Sequence, residues 1–186
     1  VEGHATLYQH AFDAALTDDL LKRLPKETGA SIQDCLLAAF TDVICTYNDD
    51  DHIRVSITGH GRHAQKSGYD LSRTVGWLNT VYPVLIARPD SGSAVQNIKE
   101  QLSKVPSDNM AYNVLRHVKK DLSVSANTDL FFNYVSQIDA ILPDNLPFTP
   151  MVEPKGTKAS DDRNALKYAL YVEAGVFEKK LVLRAT

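Results

Sequence analysis

Helical and strand-like hydrophobic patterns follow one another along this chain without strict alternation, and this order limits the possible folds more than any other feature. The longest helical pattern begins after Ser31, where Ser31 and Asp34 suit a capping arrangement, and it ends near Asn48. The run IRVSIT (53–58) comes directly after it and predicts a buried strand. Such a mixture predicts an α+β fold, or an α/β fold with a mixed sheet flanked by helices.

The other elements are predicted in the same way, from helical and strand-like spacing of apolar residues and from residues that cap or break them. Thr17 is predicted to cap a short helix, which Pro25 and Gly29 then break. Pro83 cannot donate to a sheet and makes its strand an edge strand or a bulge. Further strands are predicted at 5–13, 79–87 and 130–138, further helices at 93–102 and 111–120, a long loop at 139–163 and a terminal hairpin at 165–185.

Composition excludes several classes of protein. The net charge of −3 and the pI near 6.1 argue against a nucleic-acid partner, which requires clustered Lys and Arg. No apolar run approaches the ~20 residues of a membrane span, and no signal peptide is visible. Cys35 and Cys45 fall on one predicted helix, too far apart for a disulfide. We therefore expect residues 1–186 to form a single domain with free thiols, in the cytoplasm.

Three motif-like spacings carry little weight. Gly59, Gly61 and Ala64 have the spacing of a dinucleotide fingerprint, but no apolar helical pattern follows them. His117 and Asp121 form an HxxxD string, which on a predicted amphipathic helix is best explained as an exposed surface pair. The histidines and cysteines lack paired ligand spacing, so no metal site is predicted.

Four segments together resemble one known family. They are SITGHGR (56–62), DLSRTVGWLNTVYPVLI (70–86), VPSDNMAYNVLRHV (105–118) and FFNYVSQID (131–139). In this order they resemble the C-terminal half of the epimerization domains of nonribosomal peptide synthetases, a branch of the condensation-domain superfamily. The resemblance covers essentially the whole chain and implies a lobe with the chloramphenicol-acetyltransferase-like fold.

The resemblance also implies a division of labour between two lobes. In the family, the lobes face each other and the phosphopantetheine of a peptidyl carrier protein enters a tunnel between them. The N-terminal lobe supplies an HHxxxDG motif, which this chain lacks. The expected partners are therefore that lobe and a carrier protein, and the lobe itself is expected to bind no cofactor. The chain would form one wall of the tunnel where an aminoacyl or peptidyl thioester is inverted at Cα, and would be inactive alone.

The family pattern nominates four catalytic positions. Thr58 stands where the family has a Glu, and a hydroxyl cannot act as a base near neutral pH. His60 is expected to orient its loop through hydrogen bonds. Asn133 and Tyr134 belong to the FNY segment, and a mid-strand Asn in an apolar run needs a polar partner. An Asn amide could also donate to the enolate oxygen that forms when Cα loses its proton.

Three residues are candidates for substrate or phosphopantetheine binding. Arg62 and Arg73 could meet the carrier phosphate, although a structural ion pair is the simpler explanation for each. Trp77 could contact substrate, although a core position is the simpler explanation for it.

Two departures from the family keep other functions open. Besides Thr58, the family's glycine-rich stretch is replaced by VPSDNMAYN (105–113), which loses positions permissive for positive φ. One alternative is a catalytically silent lobe that docks a carrier protein or a tailoring enzyme. Another is part of a condensation domain that forms peptide bonds.

Overall fold

A computed structural model of the chain describes residues 5–62, 70–71, 73–106, 110–121, 123, 128–137 and 163–186. Its centre is a six-stranded mixed sheet with the order β1-β6-β5-β4-β2-β3. The strands are β1 (Tyr8–Ala11), β2 (His52–Gly59), β3 (Thr80–Ala87), β4 (Leu130–Gln137), β5 (Leu170–Phe177) and β6 (Lys180–Ala185). The helices are α1 (Ala14–Asp18), α2 (Leu24–Thr28), α3 (Ile32–Asn48), α4 (Ala94–Ser103) and α5 (Met110–Asn113). The predicted mixed sheet flanked by helices is confirmed.

Three parallel strands form the middle of the sheet. β2 pairs with β4 and β4 with β5 in parallel, whereas β3, β6 and β1 are joined antiparallel. The carboxyl ends of β2, β4 and β5 therefore lie at the same edge of the sheet. In open α/β sheets this edge is where ligands commonly bind.

One face of the sheet packs against α3 and α4 to form the main core. Val55 and Ile57 of β2 and Phe132 of β4 are almost completely buried there, together with Leu37 of α3 and Ile98 of α4. Strand residues alternate between the faces, so Thr58 and Asn133 point to the opposite side of the sheet. Side chains on the core face are buried, so the polar side chains on the opposite face are the ones available to form a site.

The start of α3 matches its sequence prediction. Ser31 accepts a hydrogen bond from the Asp34 backbone N–H at 3.1 Å, and the Asp34 carboxylate accepts one from the Ser31 N–H at 2.8 Å. This reciprocal capping box satisfies two amide donors that the helix leaves free. Cys35 and Cys45 both lie on this helix as unbonded, buried thiols, and burial raises the pKa of each.

The first helical segment begins one turn earlier than Thr17 predicts. The N-cap of α1 is Asp13, whose carboxylate accepts from the Leu16 N–H at 2.8 Å. Thr17 is instead buried inside the helix, where its hydroxyl donates to the Asp13 carbonyl and accepts from the Leu181 N–H. The predicted cap at Thr17 is wrong because the hydroxyl is used to join α1 to the terminal hairpin.

Pro25 does not break this helical segment. It is the second residue of α2, where the fixed φ of proline is compatible with helical geometry. A π-helical stretch, Asp19–Arg23, connects α1 to α2. The segment ends at Gly29, which has a positive φ of 63°.

Other predicted elements are largely confirmed. β3 is an edge strand, as Pro83 predicts, and β5 and β6 form the predicted terminal hairpin. The helix predicted at 111–120 continues from α5 through a π-helical stretch that ends at Val118. Asp121 therefore lies beyond the helix that was expected to carry it. The long loop predicted at 139–163 lies outside the described residues, apart from Arg163.

Candidate functional site

Polar side chains gather on the sheet face opposite the main core. Phe131 is the register partner of Ser56 in β2 and of Tyr171 in β5. Two residues further along, Asn133 pairs with Glu173, so both point to this same face. The pairing of β4 with β5 then shifts register between Tyr134 and Gln137, and such irregularities are common next to active sites.

A cavity of about 600 Å³ opens at the carboxyl edge of these strands and takes side chains from both faces of the sheet. It is bounded by the end of β2, the start of β3, β4, β5 and the first turn of α3. The residues that line it are Gln33, Thr58, Gly59, His60, Trp77, Asn79, Val81, Tyr82, Phe131, Asn133, Tyr134, Val135, Tyr171 and Glu173. Five of the predicted site residues, Thr58, His60, Trp77, Asn133 and Tyr134, are thus brought together, whereas Arg62 and Arg73 are not among them.

Two hydroxyl groups at the cavity have no hydrogen-bond partner among the described residues. They are Thr58 Oγ1 and Tyr134 Oη, and both atoms are buried. Burial also raises the pKa of Tyr134 above its usual value, because ionisation is unfavourable away from water. Both side chains are therefore neutral near pH 7.

Asn133 has its partner in a residue that the sequence analysis missed. Asn133 Nδ2 donates to Glu173 Oε1 across 3.4 Å, between β4 and β5. The half-buried Glu173 carboxylate is the only acidic group among the described residues that line the cavity. Glu173 could have been found from the sequence, because the alternating pattern of the last hairpin places it on the same face as Tyr171. None of the four segments that carry the family resemblance includes Glu173, so the resemblance pointed elsewhere.

The segment after β2 is tightly constrained. Gly61 has φ +65°, and a Cβ added to it would lie 1.6 Å from the Leu78 carbonyl oxygen. Arg62 Nη1 donates to the carbonyls of Leu71 at 2.6 Å and Thr74 at 2.9 Å, and Nη2 donates to that of Gly76 at 3.4 Å. His60 Nδ1 accepts from the Arg62 N–H at 3.1 Å. His60 therefore helps to order its loop, as its sequence context suggests.

The positions of Arg62, Arg73 and Trp77 differ from one another. Among the described residues, the Arg62 guanidinium contacts backbone carbonyls rather than an acidic side chain, and this holds Leu71, Thr74 and Gly76 next to the cavity. Arg73 is exposed and lies outside the cavity lining. Trp77 is 90% exposed, so the core position favoured for it is wrong. That Arg62 and Arg73 bind phosphopantetheine stays a prediction.

No group of three or more potential metal ligands occurs among the described residues. In the same part of the chain, no helix is both long and apolar enough to cross a membrane.

Comparison with known sequences gives a consistent result. Residues 5–186 match the family model of the condensation domain. Bacitracin synthase 3 of Bacillus licheniformis is 29% identical over 184 residues, which cover 94% of this chain and 3% of the synthase. The chondramide synthase of Chondromyces crocatus is 33% identical over 141 residues, covering 74% of this chain and 4% of that protein. The chain thus spans a small fraction of the length of these relatives.

Solved structures show the same fold. The epimerization domain from the third module of tyrocidine synthetase B superposes with a TM-score of 0.85 at 18% identity, covering 99% of this chain and 42% of that one. The first condensation domain of the calcium-dependent antibiotic synthetase, in complex with a substrate analogue, gives 0.58 at 16% identity, covering 97% and 39%. The predicted fold of the superfamily is confirmed.

Proposed function

This chain belongs to the condensation domain family, and from that premise we propose that it is the C-terminal lobe of an epimerization domain of a nonribosomal peptide synthetase. It would form one wall of the tunnel in which a carrier-bound aminoacyl or peptidyl thioester is inverted at Cα. The observation that carries the proposal is the cavity that joins the FNY segment, through Asn133 and Tyr134, to the GHGR segment, through His60.

The cavity suits a reaction in which charge develops on a thioester oxygen. Inversion requires removal of the Cα proton and its return to the opposite face. The resulting enolate needs hydrogen-bond donors that are already oriented. The Asn133 amide is held by Glu173, and the buried Tyr134 hydroxyl is neutral and has no partner among the described residues. The Asn133 amide could donate to such an oxygen, whereas Tyr134, its neighbour in β4, packs against the core face of the sheet.

The site of this lobe is half of what the reaction needs. The chain covers 42% of the tyrocidine synthetase domain that it resembles in fold, and it has no HHxxxDG motif. Thr58 cannot replace the carboxylate that the family pattern has at this position. We therefore propose that the lobe is inactive alone, and that it acts with an N-terminal lobe and a peptidyl carrier protein that delivers the phosphopantetheine.

One observation favours a second function. Thr58 has a hydroxyl that does not ionise near neutral pH, so its side chain cannot act as the general base. A lobe without a carboxylate at this position would suit a catalytically silent platform that docks a carrier protein or a tailoring enzyme. Epimerization and docking differ in one observable, the exchange of the Cα proton with solvent.

The test uses the two-lobe protein with an aminoacyl-loaded carrier protein in D₂O. We expect deuterium to enter Cα, and we expect Asn133→Ala to slow this by about 100-fold if the amide stabilises the enolate. Asn48→Ala, at the exposed end of α3, is the matched control and should have no effect.

Two results would overturn the proposal. Carrier binding without Cα exchange would indicate the silent platform. Peptide-bond formation between two loaded carriers, again without exchange, would indicate a condensation domain.

A further inference from the structure

The cavity has an unusual charge balance for its lining. Glu173 is acidic, His60 is the only basic-type side chain, and no Lys or Arg lines the cavity within the described part of the chain. The described lining therefore offers a ligand one negative charge, that of Glu173, among mainly aromatic and amide side chains. Such a site favours a cation over a neutral group of the same size.

Within the described part of the chain, the Glu173 carboxylate has a hydrogen-bond partner but no ion-pair partner. Arg184 lies opposite Glu173 in the β5–β6 pair, but its Nε donates to Gln9 Oε1 at 2.9 Å instead. The ion pairs between described residues do not include Glu173. Asn133 gives this half-buried carboxylate a neutral hydrogen bond and leaves its charge available. A partly desolvated charge gains most from an opposite charge on a ligand.

Aromatic side chains complete the surroundings of a cation. Tyr171 lies two residues before Glu173 on the same face and stacks on Phe131 with ring centres 4.5 Å apart. The pKa of Tyr171 is raised by burial and, to a smaller extent, by the Glu173 charge, which places the two side chains in one electrostatic environment. Trp77 lines the same cavity. Aromatic faces attract ammonium groups that lie over them.

We propose that Glu173 binds a primary ammonium group of the aminoacyl unit, so that the cavity selects cationic aminoacyl thioesters over neutral N-acylated ones. This rests on the proposed function, because it names the substrate class of the same cavity. The ammonium has two chemical sources, the α-amine and an amino side chain.

The test uses stable probes in which an amide replaces the thioester of pantetheine. Alanyl-aminopantetheine carries only the α-ammonium, Nα-acetyllysyl-aminopantetheine carries only the side-chain ammonium, and N-acetylalanyl-aminopantetheine carries neither. Binding to the 186-residue chain is followed by the fluorescence of Trp77, the only tryptophan. We expect at least one ammonium probe to bind about tenfold more tightly than the neutral probe, a difference of about 1.4 kcal/mol.

The variant Glu173→Gln keeps the shape and the hydrogen bond to Asn133 but removes the charge. It should bring all probes to equal affinity, whereas Glu100→Gln, on the exposed side of α4, should preserve the preference. Equal binding of all probes to the wild type, no binding of any probe, or a preference that survives Glu173→Gln would each overturn the proposal. Absence of Cα exchange in the two-lobe protein with this preference intact would instead overturn only the proposed function.

Discussion

Gly61 occupies a backbone position where a side chain meets two separate obstacles. Its φ of +65° is unfavourable for L residues, and a Cβ would lie 1.6 Å from the Leu78 carbonyl oxygen. Gly92 has a similar φ of +83° but no atom within 4 Å of its hypothetical Cβ. Comparing substitutions at Gly61 and Gly92 therefore separates the cost of backbone strain from the cost of steric collision.

We predict that Gly92→Ala lowers the free energy of unfolding by about 1 kcal/mol, from strain alone. Gly61→Ala should cost more than about 2 kcal/mol, since backbone atoms must also move. Urea denaturation measures both values. Equal losses for the two variants would show that the contact with Leu78 has no energetic weight.

Tyr134 gives a prediction with a defined pH dependence. Burial raises its pKa in the folded state, so above about pH 10 the unfolded phenol ionises first and stability falls as pH rises. Tyr134→Phe removes this contribution together with a buried hydroxyl that has no described partner. The variant should be at least as stable as wild type at pH 8 and should gain on it between pH 10 and 11. Denaturation at these pH values tests this, and a pH-independent difference would contradict it.

At the scale of elements, the Arg62 contacts hold Leu71 and residues 73–76 beside the end of β2. One guanidinium reaches three carbonyls along this segment, which the compact ammonium of lysine cannot do. Arg62→Lys should therefore loosen the segment and lower the fluorescence anisotropy of the adjacent Trp77. Arg73→Lys, exposed within the same segment, should leave the anisotropy unchanged. A drop of equal size in both variants would argue against the role of Arg62.

Hydrophobic period and capping chemistry made the larger elements predictable. The capping box at Ser31 and the edge position of the strand that contains Pro83 both follow from local rules, and both are present. Thr17 was misassigned because Asp13, a better acceptor one turn earlier, takes the cap. The hydroxyl then serves a tertiary contact with Leu181, and no local pattern contains that information.

The candidate site was predictable only in part. Asn133 stood out as an amide in an apolar strand, and the family motifs placed it near His60. Its partner Glu173 lies 40 residues away, and their pairing depends on the register between β4 and β5. Trp77 was misassigned because a large aromatic residue is usually buried, whereas here it lies exposed at the cavity.

At the scale of the whole molecule, the chain exposes several large apolar side chains. Trp77 is 90% exposed and Leu85, on the face of β3 turned away from the main core, is 63% exposed. Exposed apolar side chains are what the proposed two-lobe arrangement would require of a surface that a second lobe covers.

The most direct test of this account compares the isolated 186-residue chain with the two-lobe protein. Each is mixed with an aminoacyl-loaded carrier protein in D₂O, and deuterium at Cα is measured by mass spectrometry after release of the amino acid. The account predicts exchange with the two-lobe protein and only the uncatalysed background with the isolated lobe. Exchange above background with the isolated lobe would contradict the claim that this chain holds half of an active site.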